Sequence, residues 1–185
     1  MTNMIEHPDA CACCGDMLRM RFDRRRFLQI SAVAGAAAAI PSLAFGATGN
    51  YEAMLVTCID PRFPKPTLDY MRHRKMVGKY SQFTFAGASI GVVAPAFKTW
   101  APAFWENLAA SMQLHHIPKV IAMNHRDCGA AKIAYGADAV KDKAAETATH
   151  KAALLEFKKQ VGEKQPALKV ELGLMAINGK VEMFS

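Results

Sequence analysis

The sequence predicts an α/β fold: a mainly parallel sheet, order about 2-1-3-4, flanked by helices and finished by a C-terminal edge strand. Three observations carry this. Short apolar runs such as EAMLVTC (52–58) and PKVIAMN (118–124) have the length and hydrophobicity of strands covered on both faces. The segments between such runs read as helices. Alternation of strand and helix then calls for right-handed crossovers, which leave neighbouring strands parallel.

In chain order, EAMLVTC is the first strand. KPTLDYMRHRKMV (65–77) reads as a helix with Pro66 in its first turn, where a missing N–H costs nothing. KYSQFTFAGAS (79–89) reads as a second strand ending in small residues. In KTWAPAFWENLAASMQLHH (98–116), Trp100, Phe104, Leu108 and Met112 recur every four residues, an apolar helical stripe. PKVIAMN is the third strand. Residues 138–164, rich in Ala, Lys and Glu, read as a long helix with a solvated face. LKVELGLMAI (168–177) is the fourth strand, and Asn178-Gly179 is a hairpin signal leading into KVEMF as the edge strand.

The first 46 residues read as an export signal and residues 47–185 as the globular domain. DRRRFLQISAVAGAAAAIPSLAFGA has an arginine cluster, an alanine-rich apolar run and then small residues, the order of a secretory leader. Arg24 and Arg25, followed by Phe27 and Leu28, resemble a twin-arginine signal, which engages a machinery that exports folded proteins. Ala44-Phe45-Gly46 suits cleavage before Ala47. The expected location is periplasmic or otherwise extracytoplasmic. The formal charge is +7, but the lysines are scattered and no basic stripe interleaves with aromatics, which argues against a nucleic-acid partner.

Five cysteines are encoded, and Cys11, Cys13 and Cys14 fall in the leader, where no role is assigned to them. Cys58 and Cys128 remain. In an exported chain two cysteines fit a disulfide. They also fit a metal site, because His125 lies three residues before Cys128. Zinc favours four-coordinate sites built from thiolate and imidazole, and three protein ligands leave a fourth position for water. CIDPR (58–62) follows the first strand and NHRDCGA (124–130) follows the third. In an open parallel sheet such loops meet beyond the carboxyl ends of the strands, where strand order reverses. The spacing makes Cys58, His125 and Cys128 a candidate zinc set, and His125 together with the Asp60/Arg62 pair at their offsets weighs zinc over a disulfide.

The pair Cys58-Ile-Asp60-Pro-Arg62 and His125-Arg-Asp-Cys128-Gly129 resembles the zinc segments of the β-class carbonic anhydrases. The likeness continues through FAGAS (85–89), ENLAASMQLHHIPKVIAMNHRDCGA and LGLMAINGKVEMF, and covers most of residues 52–184. It implies reversible hydration of carbon dioxide to bicarbonate by zinc-bound hydroxide, with Asp60 accepting the hydroxide proton and Arg62 holding Asp60. It also implies a homodimer or higher homo-oligomer. Hydrolysis of carbonyl sulfide or carbon disulfide, and a non-catalytic zinc-binding role, are the alternatives; the intact Asp60/Arg62 pair favours an enzyme. The chain departs from the family in lacking a long N-terminal arm, in Pro61 and Arg126, and in Asn124 where glycine is common.

Other residues carry less. His115 and His116 read as solvated helix-end residues, and His73 and His150 as surface residues. Trp100 and Trp105 read as core or subunit contact. Ser89 reads either as a donor near the site or as a strand terminator, and Asp127 as a partner of the site or a turn residue.

Overall fold

The structure, a computed structural model, describes residues 49–185. The leader, with Arg24, Arg25, Cys11, Cys13 and Cys14, lies outside the described residues. The elements are β1 (Ala53–Thr57), α1 (Pro64–His73), β2 (Tyr80–Thr84), α2 (Ser89–Val93), α3 (Ala101–His115), β3 (Lys119–His125), α4 (Gly129–Tyr135), α5 (Lys143–Lys164), β4 (Lys169–Met175) and β5 (Val181–Phe184). Strand order is β2-β1-β3-β4-β5, parallel throughout except for the antiparallel β4–β5 hairpin. The predicted sheet and its C-terminal edge strand are both present.

β1 and β3 are central, and their side chains alternate between two apolar cores. Met54, Val56, Val120 and Ala122 face a core shared with Phe104 and Leu108 of α3 and Leu154, Phe157 and Val161 of α5. Ala53, Leu55, Ile121 and Met123 face a smaller core with Phe63, Met71 and Met76, around α1. Burial on both faces explains why these strands read as unbroken apolar runs. The hairpin turn closes at Gly179, whose φ of 82° suits a residue without Cβ.

Three boundaries differ from expectation. β2 ends at Thr84, and FAGAS forms a turn leading into the short helix α2. Gly91 in α2 lies so close to that turn that a Cβ there would sit 2.5 Å from the Ala86 carbonyl oxygen. α4 begins immediately after Cys128, where the pattern is too short to show helical periodicity. α5 starts at Lys143 rather than 138, because the Asp142 carboxylate accepts the Ala145 N–H and caps it.

The reading of His150 as a surface residue is corrected. His150 is fully buried on the sheet-facing side of α5. Its stripe is His150, Leu154, Phe157 and Val161, and the many lysines around it conceal the inward face. Burial, the largest influence, pushes its pKa down to about 4; Glu146 and Cys58 pull it up, while His125 and Arg126 push it down further. As pH falls below its ordinary 6.5, the unfolded chain takes up a proton that the folded chain refuses until about 4, so the folded state loses stability over that window. Urea unfolding is expected to show a His150-dependent loss of about 2 kcal/mol between about pH 7 and 5. That part of the slope should vanish in His150→Asn.

Candidate metal centre

Three loops meet at the carboxyl edge of the sheet. Cys58 directly follows β1, His125 is the last residue of β3, and Cys128 directly precedes α4. Val56 pairs with Ala122 and Thr57 with Thr84, so the loops after β1, β2 and β3 leave the sheet side by side. The ligand-capable atoms of Cys58, His125 and Cys128 lie within 4.8 Å of one another, and all three residues are buried. Both cysteines are free thiols, so the structure contains no disulfide between them.

The donor set fits a thiolate-preferring metal ion. His125 Nδ1 lies 2.8 Å from the Arg126 carbonyl oxygen. A carbonyl only accepts, so Nδ1 carries the proton and Nε2 presents its lone pair. Nε2 is buried and has no hydrogen-bond partner. A buried acceptor beside two thiols and otherwise unsatisfied is the pattern expected of a ligand set. The thiols are linked electrostatically. Cys128 beside Cys58 is the main reason that the Cys58 thiol is pulled well below the usual thiol range, with His125 and the Gly87 and Asp60 backbone also lowering it against burial. The Cys128 thiol is pushed up by Cys58 and by burial. Burial lowers the His125 pKa, but Cys58 and the Arg126 carbonyl outweigh it and the net shift is upward. The Gly87 N–H donates to Cys58 Sγ at 3.2 Å.

Asp60 and Arg62 form the next layer. Arg62 donates from Nε to Asp60 Oδ1 at 2.9 Å and from Nη2 to Oδ2 at 2.7 Å, a two-pronged pair, and its backbone N–H also reaches Oδ1. These bonds, from the side chain first, hold the Asp60 carboxyl down to about 2. Arg62 also binds the loop after β3, through the Asp127 carboxylate at 2.6 Å and the Asp127 carbonyl at 2.9 Å. Asp127 is thus a turn residue, with φ of 55°, and a partner of the site as well. A cavity of about 690 Å³ opens here, with Asp60, Arg62 and Cys128 in its wall.

Sequence reasoning missed Glu146. Its Oε1 accepts the Asp127 N–H, and its Oε2 pairs with Arg126 Nη1 at 3.0 Å. Arg126, a departure from the family pattern, is held further by Thr147 and Glu182. The available signal was a glutamate four residues before His150, in line with the apolar stripe of α5. Ser89 opens α2 and donates to Asn124 from both N–H and hydroxyl. Trp100 stacks on Phe97, and Trp105 packs edge-on to Phe104.

Residues 48–171 match the family model described as "Putative carbonic anhydrase", and residues 21–41 match the TAT (twin-arginine translocation) pathway signal sequence. The chain belongs to this carbonic anhydrase family, carries the fold of the β class, and has a signal for export across the cytoplasmic membrane. An uncharacterized protein of Rickettsia conorii is 30% identical over 131 residues, covering 71% of this chain and 70% of the relative. One of Rickettsia bellii is 29% identical over 131 residues, covering 71% and 80%. Among solved structures, the β-carbonic anhydrase CcaA superposes with a TM-score of 0.54 at 14% identity, over 88% of this chain and 85% of its own. A structure of two tetrameric β-carbonic anhydrases from Sordaria macrospora gives 0.51 at 16% identity, over 87% and 92%.

Glu146 and Arg126 are both mostly buried, at 12% and 15% side-chain exposure, whereas Glu182 is half exposed. Removing Glu146 leaves the Asp127 N–H without its partner and the mostly buried Arg126 with only the half-exposed Glu182 and Thr147 to satisfy it. Glu146→Ala should therefore lower unfolding stability by about 2–3 kcal/mol. Glu182→Ala should cost less than about 1 kcal/mol by the same urea titration.

Proposed function

We propose that the chain is an exported zinc enzyme that hydrates carbon dioxide reversibly to bicarbonate, with residues 47–185 as the working domain in the periplasm. One observation carries this reading: Cys58, His125 and Cys128 converge beside a cavity whose wall also holds an Asp60 clamped by Arg62. A purely structural metal site has no use for such a carboxylate. Cys58 Sγ, His125 Nε2 and Cys128 Sγ would hold zinc, which would supply the Lewis acidity that makes water a nucleophile near neutral pH.

The chain's own residues then position and move the proton. Asp60 Oδ1 already accepts two hydrogen bonds from Arg62, whereas Oδ2 accepts one. Oδ2 therefore keeps lone-pair capacity to accept the proton of the attacking water and aim its oxygen at the carbon of carbon dioxide. The Asp60 pKa of about 2 keeps this acceptor ionised at neutral pH. Arg62 fixes the carboxylate plane and, through Asp127, ties it to the loop carrying His125 and Cys128. The reading includes a homodimer or larger assembly, in keeping with the tetrameric β-carbonic anhydrases of Sordaria macrospora that share the fold.

The test is stopped-flow hydration of carbon dioxide by the zinc-loaded full chain. Cys128→Ala is expected to abolish activity. Arg62→Leu should retain zinc while kcat/KM falls about 10–100-fold. Wild-type protein that holds zinc but hydrates no faster than Cys128→Ala contradicts the proposal.

A further inference from the structure

The bond network around Asn124 leads away from the metal-facing side of β3 to a residue with no part in the chemistry above. Asn124 is 1% exposed and immediately precedes His125. Its Oδ1 accepts the Ser89 N–H at 3.1 Å and the Ser89 hydroxyl at 2.8 Å. A backbone N–H only donates, so the amide orientation is fixed and Nδ2 must face His150 Nδ1, 3.1 Å away. His150 Nδ1 therefore accepts, and the imidazole carries its proton on Nε2. That Nε2 is buried and has no partner. An unsatisfied buried N–H is costly. An apolar side chain in this position would avoid that cost, but it would leave the Asn124 amide without an acceptor.

Ser89 is the first residue of α2 and ends the turn that backs Cys58. Within that turn Gly87 has φ of 81° and Ala88 has φ of 50° with ψ of −118°, a conformation unfavourable for a residue with Cβ. It persists only where its surroundings hold it, and Ser89 is anchored on both its N–H and its hydroxyl by Asn124. The turn in turn presents the Gly87 N–H to Cys58 Sγ.

We infer that His150 is a positioning residue for the metal centre: by accepting from Asn124 Nδ2 it locks the amide that anchors Ser89, and so holds the Gly87 N–H against the Cys58 sulfur. This builds on the metal-binding reading of Cys58, His125 and Cys128. The arrangement depends on Asn124, and it links α5, β3 and the turn after β2.

The experiment compares His150→Leu and His150→Asn in the full chain, with Cys11, Cys13 and Cys14 replaced by serine so that only the site thiols report. Asparagine can place a carbonyl oxygen close to the lost Nδ1; leucine cannot. Two readouts are taken. Amide hydrogen exchange of Gly87 and Ser89 in metal-free protein follows the turn itself, and chelator competition with the thiolate-to-cobalt absorption band of the Co²⁺ form follows the site. His150→Leu should speed exchange at both amides about tenfold or more. It should also weaken zinc binding about 10–100-fold and shift the cobalt band. His150→Asn should stay within about threefold of wild type in both readouts, on the same scale. Unchanged exchange in His150→Leu overturns the inference, as does equal loss in both variants, which would mean that His150 matters only as volume. Wild-type protein that binds neither metal defeats the metal reading, and the exchange comparison then still decides whether His150 holds the turn.

Discussion

Parallel pairing of β1 with β3 is the constraint on which the site depends. With Val56 opposite Ala122, the chain leaves both strands at one edge of the sheet, and Cys58 and His125 become neighbours although 67 positions separate them in the numbering. An antiparallel pair would send the two loops to opposite ends. The turn after β2 arrives at the same edge because β2 also pairs in parallel with β1. Burial of both faces of the central strands holds this arrangement, since a slip of one residue would drive Leu55 and Val56 onto the wrong faces.

Crowding three loops at one edge creates backbone conformations that no single loop would keep. Asp127 and Ala88 both hold positive φ, and both are restrained by polar contacts from elsewhere in the fold. Arg62 grips Asp127 from the loop after β1, and Glu146 grips its N–H from α5. Asn124 restrains the turn containing Ala88 through Ser89. The partly buried Arg126–Glu146 pair is desolvated, so its net contribution to stability is small, but breaking either half would be expensive. Such a pair serves to fix position, which a site with three ligands from separate elements requires.

Much of this was legible in the sequence. The four parallel strands and the closing hairpin followed from apolar run length and the Asn178-Gly179 turn. The convergence of Cys58, His125 and Cys128 was legible because each lies within a few residues of a strand end, whereas Asp60 and Arg62 stood out through the resemblance to the β-class carbonic anhydrases. α2 and α4 were not, since a helix of five or seven residues spans too few turns to show a period. Glu146 and His150 were hidden for a different reason. On α5 they share the side that carries Leu154 and Phe157, but the surrounding lysines and glutamates make the whole segment look solvated. Their partners, Asp127, Arg126 and Asn124, are brought to them only by the docking of α5 onto β3, a tertiary contact with no local signature.

Two thiolates and one imidazole from three separate elements are placed to form one metal site. X-ray absorption at the zinc edge of the loaded full chain, with the three leader cysteines replaced by serine, tests it most directly. Two sulfur ligands near about 2.3 Å, one imidazole nitrogen near about 2.0–2.1 Å and one further light-atom ligand are expected. A shell of three or four sulfurs, or a shell without imidazole, would contradict it.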